Sequence, residues 1–417
     1  MKSIAANAFL ATMSIALTLA LIEVGLRVAG YPPALTDHSE FMRRDPALGW
    51  ALRPGVTGTY VSDEYAHDVR VNSRGMRGPE PPAAAGDVRI VLLGDSFVEG
   101  YSVAEGERVS ESLEARLRAV GGCEVRVVPM GTAGYSTDQQ LIWLERDGLS
   151  MEPHAVVLMF YFNDVWYNGR ETYFGAEKPY FRLRDDSLEG PFLPTPDPPA
   201  AAGGTARDVD DGENGATRRR TRSGEGGLSG MHLYRLAERT AKNSDFLRTA
   251  AIRLGLADPP PEARIAAVGP DGLPTELQVF VSRESEEVVR AWEITARLIR
   301  RMADLTASSG AEFTIFQVPF RGRVHPDAGS PLAGAVDLSA VADRLAGLCA
   351  RHGLDCMDPA PDFRRAARDE EGEGGRLYYH MDTHWTAAGH AVAADLLAAR
   401  LGDSVRAWCA HARAEAA

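Results

Sequence analysis

The stretch "VRIVLLGDSFVEGYSV", residues 88–103, runs an apolar strand into Gly94-Asp95-Ser96 and then a second glycine, Gly100. A buried strand that stops on a small, sharply turned, polar tripeptide leaves a serine hydroxyl at its tip. Asp95 or Ser96 could simply cap the helix that follows. Alternatively, Ser96 is a nucleophile at the carboxyl end of a strand, where open α/β sheets carry their sites. Gly, Asp and Ser are ordinary turn residues, so the surrounding chain has to decide.

Working outward, short apolar runs at 88–93, 125–128, 156–160, 313–318 and 354–357 alternate with helical patterns. Val109, Leu113 and Leu117 fall on one helical face, as do Trp292, Ile299 and Met302. This order predicts an α/β fold with a parallel sheet sandwiched by helices through right-handed crossovers. No Gly-x-Gly-x-x-Gly follows a strand, so a dinucleotide site is unsupported.

With 417 residues and 45% hydrophobic content, the chain can bury a full core, and its net charge of −13 disfavours a nucleic-acid partner. The basic cluster Arg218, Arg219, Arg220 and Arg222 follows an acidic run in a Gly-rich stretch and reads as a solvated loop. After Lys2, residues 4–22 are nearly all apolar, which predicts a membrane-spanning signal anchor over 1–30. Lys2 places the amino end in the cytoplasm and the remainder outside it. No Ala-x-Ala site closes the segment, which favours an uncleaved anchor over a secreted form.

Cys123, Cys349, Cys356 and Cys409 show no zinc-ligand spacing; "CARHGLDC" reads as a helix end turning into a strand, where a local Cys349–Cys356 disulfide fits an oxidising compartment. The full pairing stays open. Residues 31–86, with "LGWALRPGVTGTY" and "VNSRGMRGPEPP", read as an extended lead-in packed on the main domain, 87–417. Residues 166–280 form an insertion after the third strand, with 193–228 expected to be disordered.

Polar clusters recur at the other strand ends. "PMGTAGYSTDQQ" places Gly131 and Gly134 in a turn, with Thr137 or Asp138 as a helix cap; "YFNDVW" puts Asn163 and Asp164 at a strand end; "YYHMDTHW" sets Asp382 and His384 before an apolar-striped helix. Phe160, Tyr161, Phe162, Trp166 and Tyr167 could line an acyl pocket or belong to the core.

Taken in order, these clusters resemble the four blocks of the SGNH (GDSL-type) hydrolase superfamily. "GDSF" matches the first, Gly134 the second, "FND" the third and "DTHW" the fourth, and "LGW" with "NSRGMRG" is similar to bacterial exported members. The resemblance implies a flavodoxin-like three-layer sandwich and a Ser96–His384–Asp382 triad. It also implies an oxyanion hole from the backbone N–H groups of Ser96 and Gly134 and the Asn163 amide. Asp95 and Asp164 then support the site, and neither metal nor cofactor is required. His384 is preferred to His380 and His390 because it alone follows an Asp at the matching position.

Three departures stand out. Tyr161 replaces a common Gly, Pro129 a common Asn, and acid and base are two residues apart instead of three. The short Asp-x-His-Trp resembles SGNH proteins that acetylate bacterial exopolysaccharides. The expected function is an extracytoplasmic serine esterase of acyl esters, O-acetyl groups of a cell-envelope glycan foremost. The alternatives are an O-acyltransferase on exopolysaccharide, a lipase or thioesterase, or a non-catalytic glycan-binding scaffold. The oligomeric state is left open.

Overall fold

The computed structural model describes residues 2–31, 33, 35–80, 87–193, 232–242, 273, 275–281, 283–325, 336–369, 376–379 and 381–416. The five apolar runs form the strands β1 (Val88–Gly94), β2 (Val125–Gly131), β3 (Ala155–Phe160), β4 (Glu312–Gln317) and β5 (Asp355–Met357). They pair in parallel in the order β5-β4-β3-β1-β2. β1 and β3 are buried almost throughout, which is why they read as continuous apolar runs and not as alternating ones.

The helices Val109–Gly121 and Ala387–Ala416 pack against each other beside β1 and β2, while Thr137–Trp143, Phe162–Tyr167 and Glu286–Ser308 pack together in the other layer. The helical faces expected of Val109, Leu113, Leu117, Trp292, Ile299 and Met302 are all buried. Cys123 bonds Cys409 and so staples the first helix pair; Cys349 bonds Cys356 across the turn from the helix Ala340–His352 into β5.

Because the chain moves from β1 to β2 on one side and then to β3 on the other, β1 and β3 flank the topological switch point. Ser96, Gly134 and Asn163 lie in the segments that leave β1, β2 and β3, Ser96 and Asn163 in short helices. The lead-in contributes two hairpins, Met42–Asp45 with Gly49–Leu52 and Thr57–Val61 with Ala66–Arg70. Trp50, Leu52, Tyr60 and Tyr65 join the main core cluster from these hairpins, as does Phe41 from the turn His38–Phe41 before them.

Within 166–280 lie two more hairpins, Thr172–Tyr173 with Ala176–Glu177 and Tyr180–Arg184 with Ser187–Phe192, and the helix His232–Lys242. The expected disorder of 193–228 falls, beyond residue 193, outside the described residues. The amino-terminal helix Lys2–Ala29 contains a span, Phe9–Ala29, long and apolar enough to cross a membrane. Glu23 near its end accepts hydrogen bonds from the backbone amides of His232 and Leu233, at 2.9 and 2.7 Å.

Candidate active site

Asp95 follows β1 with φ −109° and ψ −138° and caps the short helix Ser96–Glu99 by accepting from the Phe97 N–H at 3.0 Å. The bland reading of the tripeptide is therefore true of Asp95, but not of Ser96. Ser96 Oγ lies 2.6 Å from His384 Nε2, and His384 Nδ1 hydrogen-bonds Asp382 Oδ1. With a neutral imidazole the proton sits on Nδ1, facing the carboxylate, so Nε2 is free to accept from the serine. Ser96 is 8% and His384 4% exposed, so the pair is shielded from bulk water.

Asp382 is partly exposed, and both of its oxygens are engaged. Oδ1 also accepts from the His384 backbone N–H at 2.9 Å, and Oδ2 accepts from the Tyr65 hydroxyl at 2.7 Å. Desolvation opposes ionisation of this carboxyl, but the His384 charge and the bonds from His384 and Tyr65 outweigh it and hold its pKa below the ordinary range. Burial, together with the Asp382 charge, pushes the Tyr65 phenol well up, so Tyr65 stays protonated as a donor. Glu64 accepts from the Met381 and Asp382 amides at 2.9 and 2.7 Å. The Tyr101 hydroxyl lies 3.0 Å from His384 Nδ1.

Asn163 sits in the first turn of the helix Phe162–Tyr167, past the end of β3 at Phe160 and not at the strand end expected for it. Its Oδ1 is buried with no hydrogen-bond partner in the protein, leaving Nδ2 as the end of the amide available to a ligand. Gly134 adopts φ +79°, and a Cβ there would come within 2.7 Å of the Tyr173 ring, so the position needs glycine on both counts. Asp164 accepts from the Thr137 hydroxyl at 3.1 Å. Burial, then the charge of Asp95, holds the Asp164 carboxyl well above its ordinary range.

One expected helix cap is corrected. The helix Thr137–Trp143 is capped by Ser136 in a capping box with Gln139, not by Thr137 or Asp138. Asp138 instead forms a fully buried ion pair with Lys178. All five residues of the aromatic group 160–167 are buried in the core cluster. His390 lies on the last helix, as expected, and accepts from the Val109 N–H at 3.2 Å. Burial, then Arg77, drives its pKa down to about 3, which fits a satisfied core histidine. His380 lies outside the described residues. Among the described residues no cluster of His, Cys, Asp or Glu could hold a metal.

Tyr65, Glu64 and Tyr101 escaped sequence reasoning. Nothing local marks them, because Tyr65 lies 317 residues from the carboxylate it holds.

The model of the family described as "SGNH hydrolase-like domain, acetyltransferase AlgX" matches residues 279–415. That span includes Asp382 and His384. Over that span, about a third of the chain, the sequence matches an SGNH hydrolase-like domain. Ser96, Gly134 and Asn163 precede the matched span. Solved structures similar to this chain include an alpha/beta hydrolase enzyme from the metagenome of Lake Arreo, Spain (14% identity, TM-score 0.37, covering 76% of this chain and 95% of that one). Another is an acetylxylan esterase from Geobacillus stearothermophilus (12%, TM-score 0.37, 76% and 94%). A third is a lipase/acylhydrolase from Enterococcus faecalis (13%, TM-score 0.34, 76% and 96%). No curated protein matches the chain.

Proposed function

We propose that this chain is a membrane-tethered, extracytoplasmic serine esterase that removes acyl groups, O-acetyl foremost, from a cell-envelope glycan. The observation that carries the reading is the continuous chain from Ser96 Oγ through the His384 imidazole to Asp382. A serine hydroxyl is a poor nucleophile until an adjacent base takes its proton, and that base works only in the tautomer its acid partner fixes.

In this mechanism Ser96 Oγ attacks the ester carbonyl and His384 Nε2 takes its proton. The backbone N–H groups of Ser96 and Gly134 and the Asn163 amide hold the oxyanion. His384 then returns the proton to the leaving alcohol, and Ser96 keeps the acyl group until water, activated by the same imidazole, releases it. Asp382 stays ionised throughout and stabilises the imidazolium. The apolar span Phe9–Ala29 and the two disulfides support an anchored domain in an oxidising compartment.

A second reading replaces water with a sugar hydroxyl, making the chain an O-acyltransferase. The family match over residues 279–415 and the short Asp382-x-His384-Trp385 spacing favour it. The test is hydrolysis of p-nitrophenyl acetate by the full-length protein beside Ser96→Ala, with and without added oligosaccharide. Turnover that vanishes in the variant supports the serine reading, and acetylated sugar as product selects transfer. Equal rates in both proteins would refute Ser96 as the nucleophile.

A further inference from the structure

The two motifs of the lead-in, "LGW" and "NSRGMRG", have no place in the triad chemistry. The second is explained by packing: Arg77 hydrogen-bonds the Gly100 and Val103 carbonyls and so holds the loop that delivers Tyr101 to His384. The first contacts the loop after β2 directly. Leu48 accepts from the Gln139 amide at 2.8 Å, and the Trp50 carbonyl accepts from the Tyr135 hydroxyl at 2.5 Å. Gly49 adopts φ +85°, and a Cβ there would approach the Glu177 carbonyl to 2.5 Å. The Trp50 indole Nε1–H donates to the Ala133 carbonyl at 2.9 Å.

That last bond falls on the peptide unit joining Ala133 to Gly134. A trans peptide is planar, with its C=O and N–H pointing in opposite directions. Fixing the Ala133 carbonyl on the indole therefore fixes the direction of the Gly134 N–H. The preceding peptide is fixed as well, because Glu99 Oε2 accepts from the Ala133 N–H at 2.7 Å while Glu99 Oε1 pairs with His38 Nε2 at 2.7 Å. Glu99 belongs to the same short helix as Ser96, which ties the loop to the nucleophile's own element. Donation into a carbonyl also polarises the N–H at the other end of the amide. Trp50 is 3% exposed and packs its ring near Tyr135 and Tyr173, with centroids 5.8 and 5.7 Å away.

We propose that Trp50 is a positioning residue whose indole N–H orients the Gly134 amide as an oxyanion donor. This rests on the serine-acyl-transfer reading above. The role is electrostatic preorganisation: the donor is aimed before charge develops, so no reorganisation is needed when it does. The contribution appears in the transition state, not in substrate binding.

The experiment compares the full-length protein with Trp50→Phe and with a variant carrying 3-benzothienylalanine at position 50, which keeps the shape of the indole and removes only its N–H. Three quantities are read: kcat and KM on p-nitrophenyl acetate, the pH profile of kcat/KM, and the rate at which a fluorophosphonate labels Ser96, whose phosphonylation draws on the same oxyanion donors. The benzothienyl variant should lose roughly 10- to 100-fold in kcat and in labelling rate, the scale of a slightly misaimed catalytic group. KM should stay within about threefold and the pH midpoint should not move, because Trp50 is bonded to neither His384 nor Asp382. Full kcat in that variant, or a loss accompanied by a shifted pH midpoint, overturns the inference even if Trp50→Phe fails to fold. If fluorophosphonate does not label Ser96 in the unmodified protein, the serine reading itself fails and this inference falls with it.

Discussion

Asn163→Ala should lower activity while leaving the fold as stable as before or more so. In the proposed mechanism Nδ2 of Asn163 holds the oxyanion, and loss of one such donor costs about 2.7–4 kcal/mol, or roughly 10²–10³ in kcat. The ground-state carbonyl gains little from that donor, so KM should move less than about threefold. The stability side follows from the other end of the amide: Oδ1 is buried and unpartnered, and a polar group left in that state costs on the order of 1–3 kcal/mol. Truncation removes the orphan along with a few dispersion contacts of about 0.1–0.2 kcal/mol each. The balance is neutral to stabilising, and each 1 kcal/mol is worth roughly 1.5 °C in Tm for a domain of this size. Asn163→Asp orders the series further, since a carboxylate cannot donate and would repel the oxyanion; it should be slower than Ala. Esterase kinetics with p-nitrophenyl acetate and thermal unfolding of the same three proteins check both sides. Activity retained within fivefold in Asn163→Ala would remove this residue from the oxyanion hole, and a Tm loss of several degrees would make it a structural residue instead.

Tyr65→Phe removes a bond that favours ionised Asp382. The folded-state pKa of that carboxyl is depressed, so its stability contribution is present above the unfolded value and is lost as pH falls through the folded one. The variant should therefore lose both stability and activity at a higher pH on the acid side than the native protein, read as Tm and kcat/KM between about pH 3 and 6. Lys178→Ala leaves Asp138 buried without its cation; breaking such a pair costs about 3–5 kcal/mol, which urea unfolding should register as a large fall in midpoint. Of the two disulfides, Cys123–Cys409 encloses a separation of 286 residues and Cys349–Cys356 only 7. Loop entropy gives roughly 5 and 2–3 kcal/mol for them, so the Cys123→Ser, Cys409→Ser pair should destabilise about twice as much as Cys349→Ser, Cys356→Ser.

What the sequence made legible follows from the range of the interactions involved. The five sheet strands were visible because β1 and β3 bury both faces, leaving unbroken apolar runs such as "VRIVLLG". Ser96, Asn163, Asp382 and His384 were visible because each lies in a short polar block near the start of a helix. Three features were hidden for a shared physical reason. The Asp138–Lys178 pair, the Tyr65 bond to Asp382 and the indole bond from Trp50 to Ala133 join residues 40, 317 and 83 positions apart, and neither periodicity nor turn chemistry reports on contacts at that distance. The two-stranded hairpins of the lead-in were equally silent, since strands of four or five residues with exposed positions give no clear alternation. "LGW" could have been a signal: a glycine at φ +85° before a buried tryptophan is a demanding combination.

The short spacing between acid and base, which sets this chain apart from the commoner pattern, has a mechanical consequence. With one residue between them, Asp382 Oδ1 accepts both from the side chain of His384 and from its backbone N–H two positions on, the geometry of an Asx turn. The acid thus shapes the loop that carries the base, and imidazole and carboxylate are held by one five-atom hinge of backbone. Such a turn fixes the two groups relative to each other but not relative to the nucleophile, which comes from β1. That second constraint is supplied from outside the sheet. Glu64 holds the Met381 and Asp382 amides, Tyr65 holds the free carboxylate oxygen, and the Tyr379 hydroxyl reaches the Ser102 carbonyl at 2.9 Å. The lead-in hairpin therefore does for the acid–base loop what the longer spacing would otherwise leave to the loop itself. A chain with this spacing and without a Glu64–Tyr65 equivalent should hold its His–Asp pair intact yet lose its alignment with the serine.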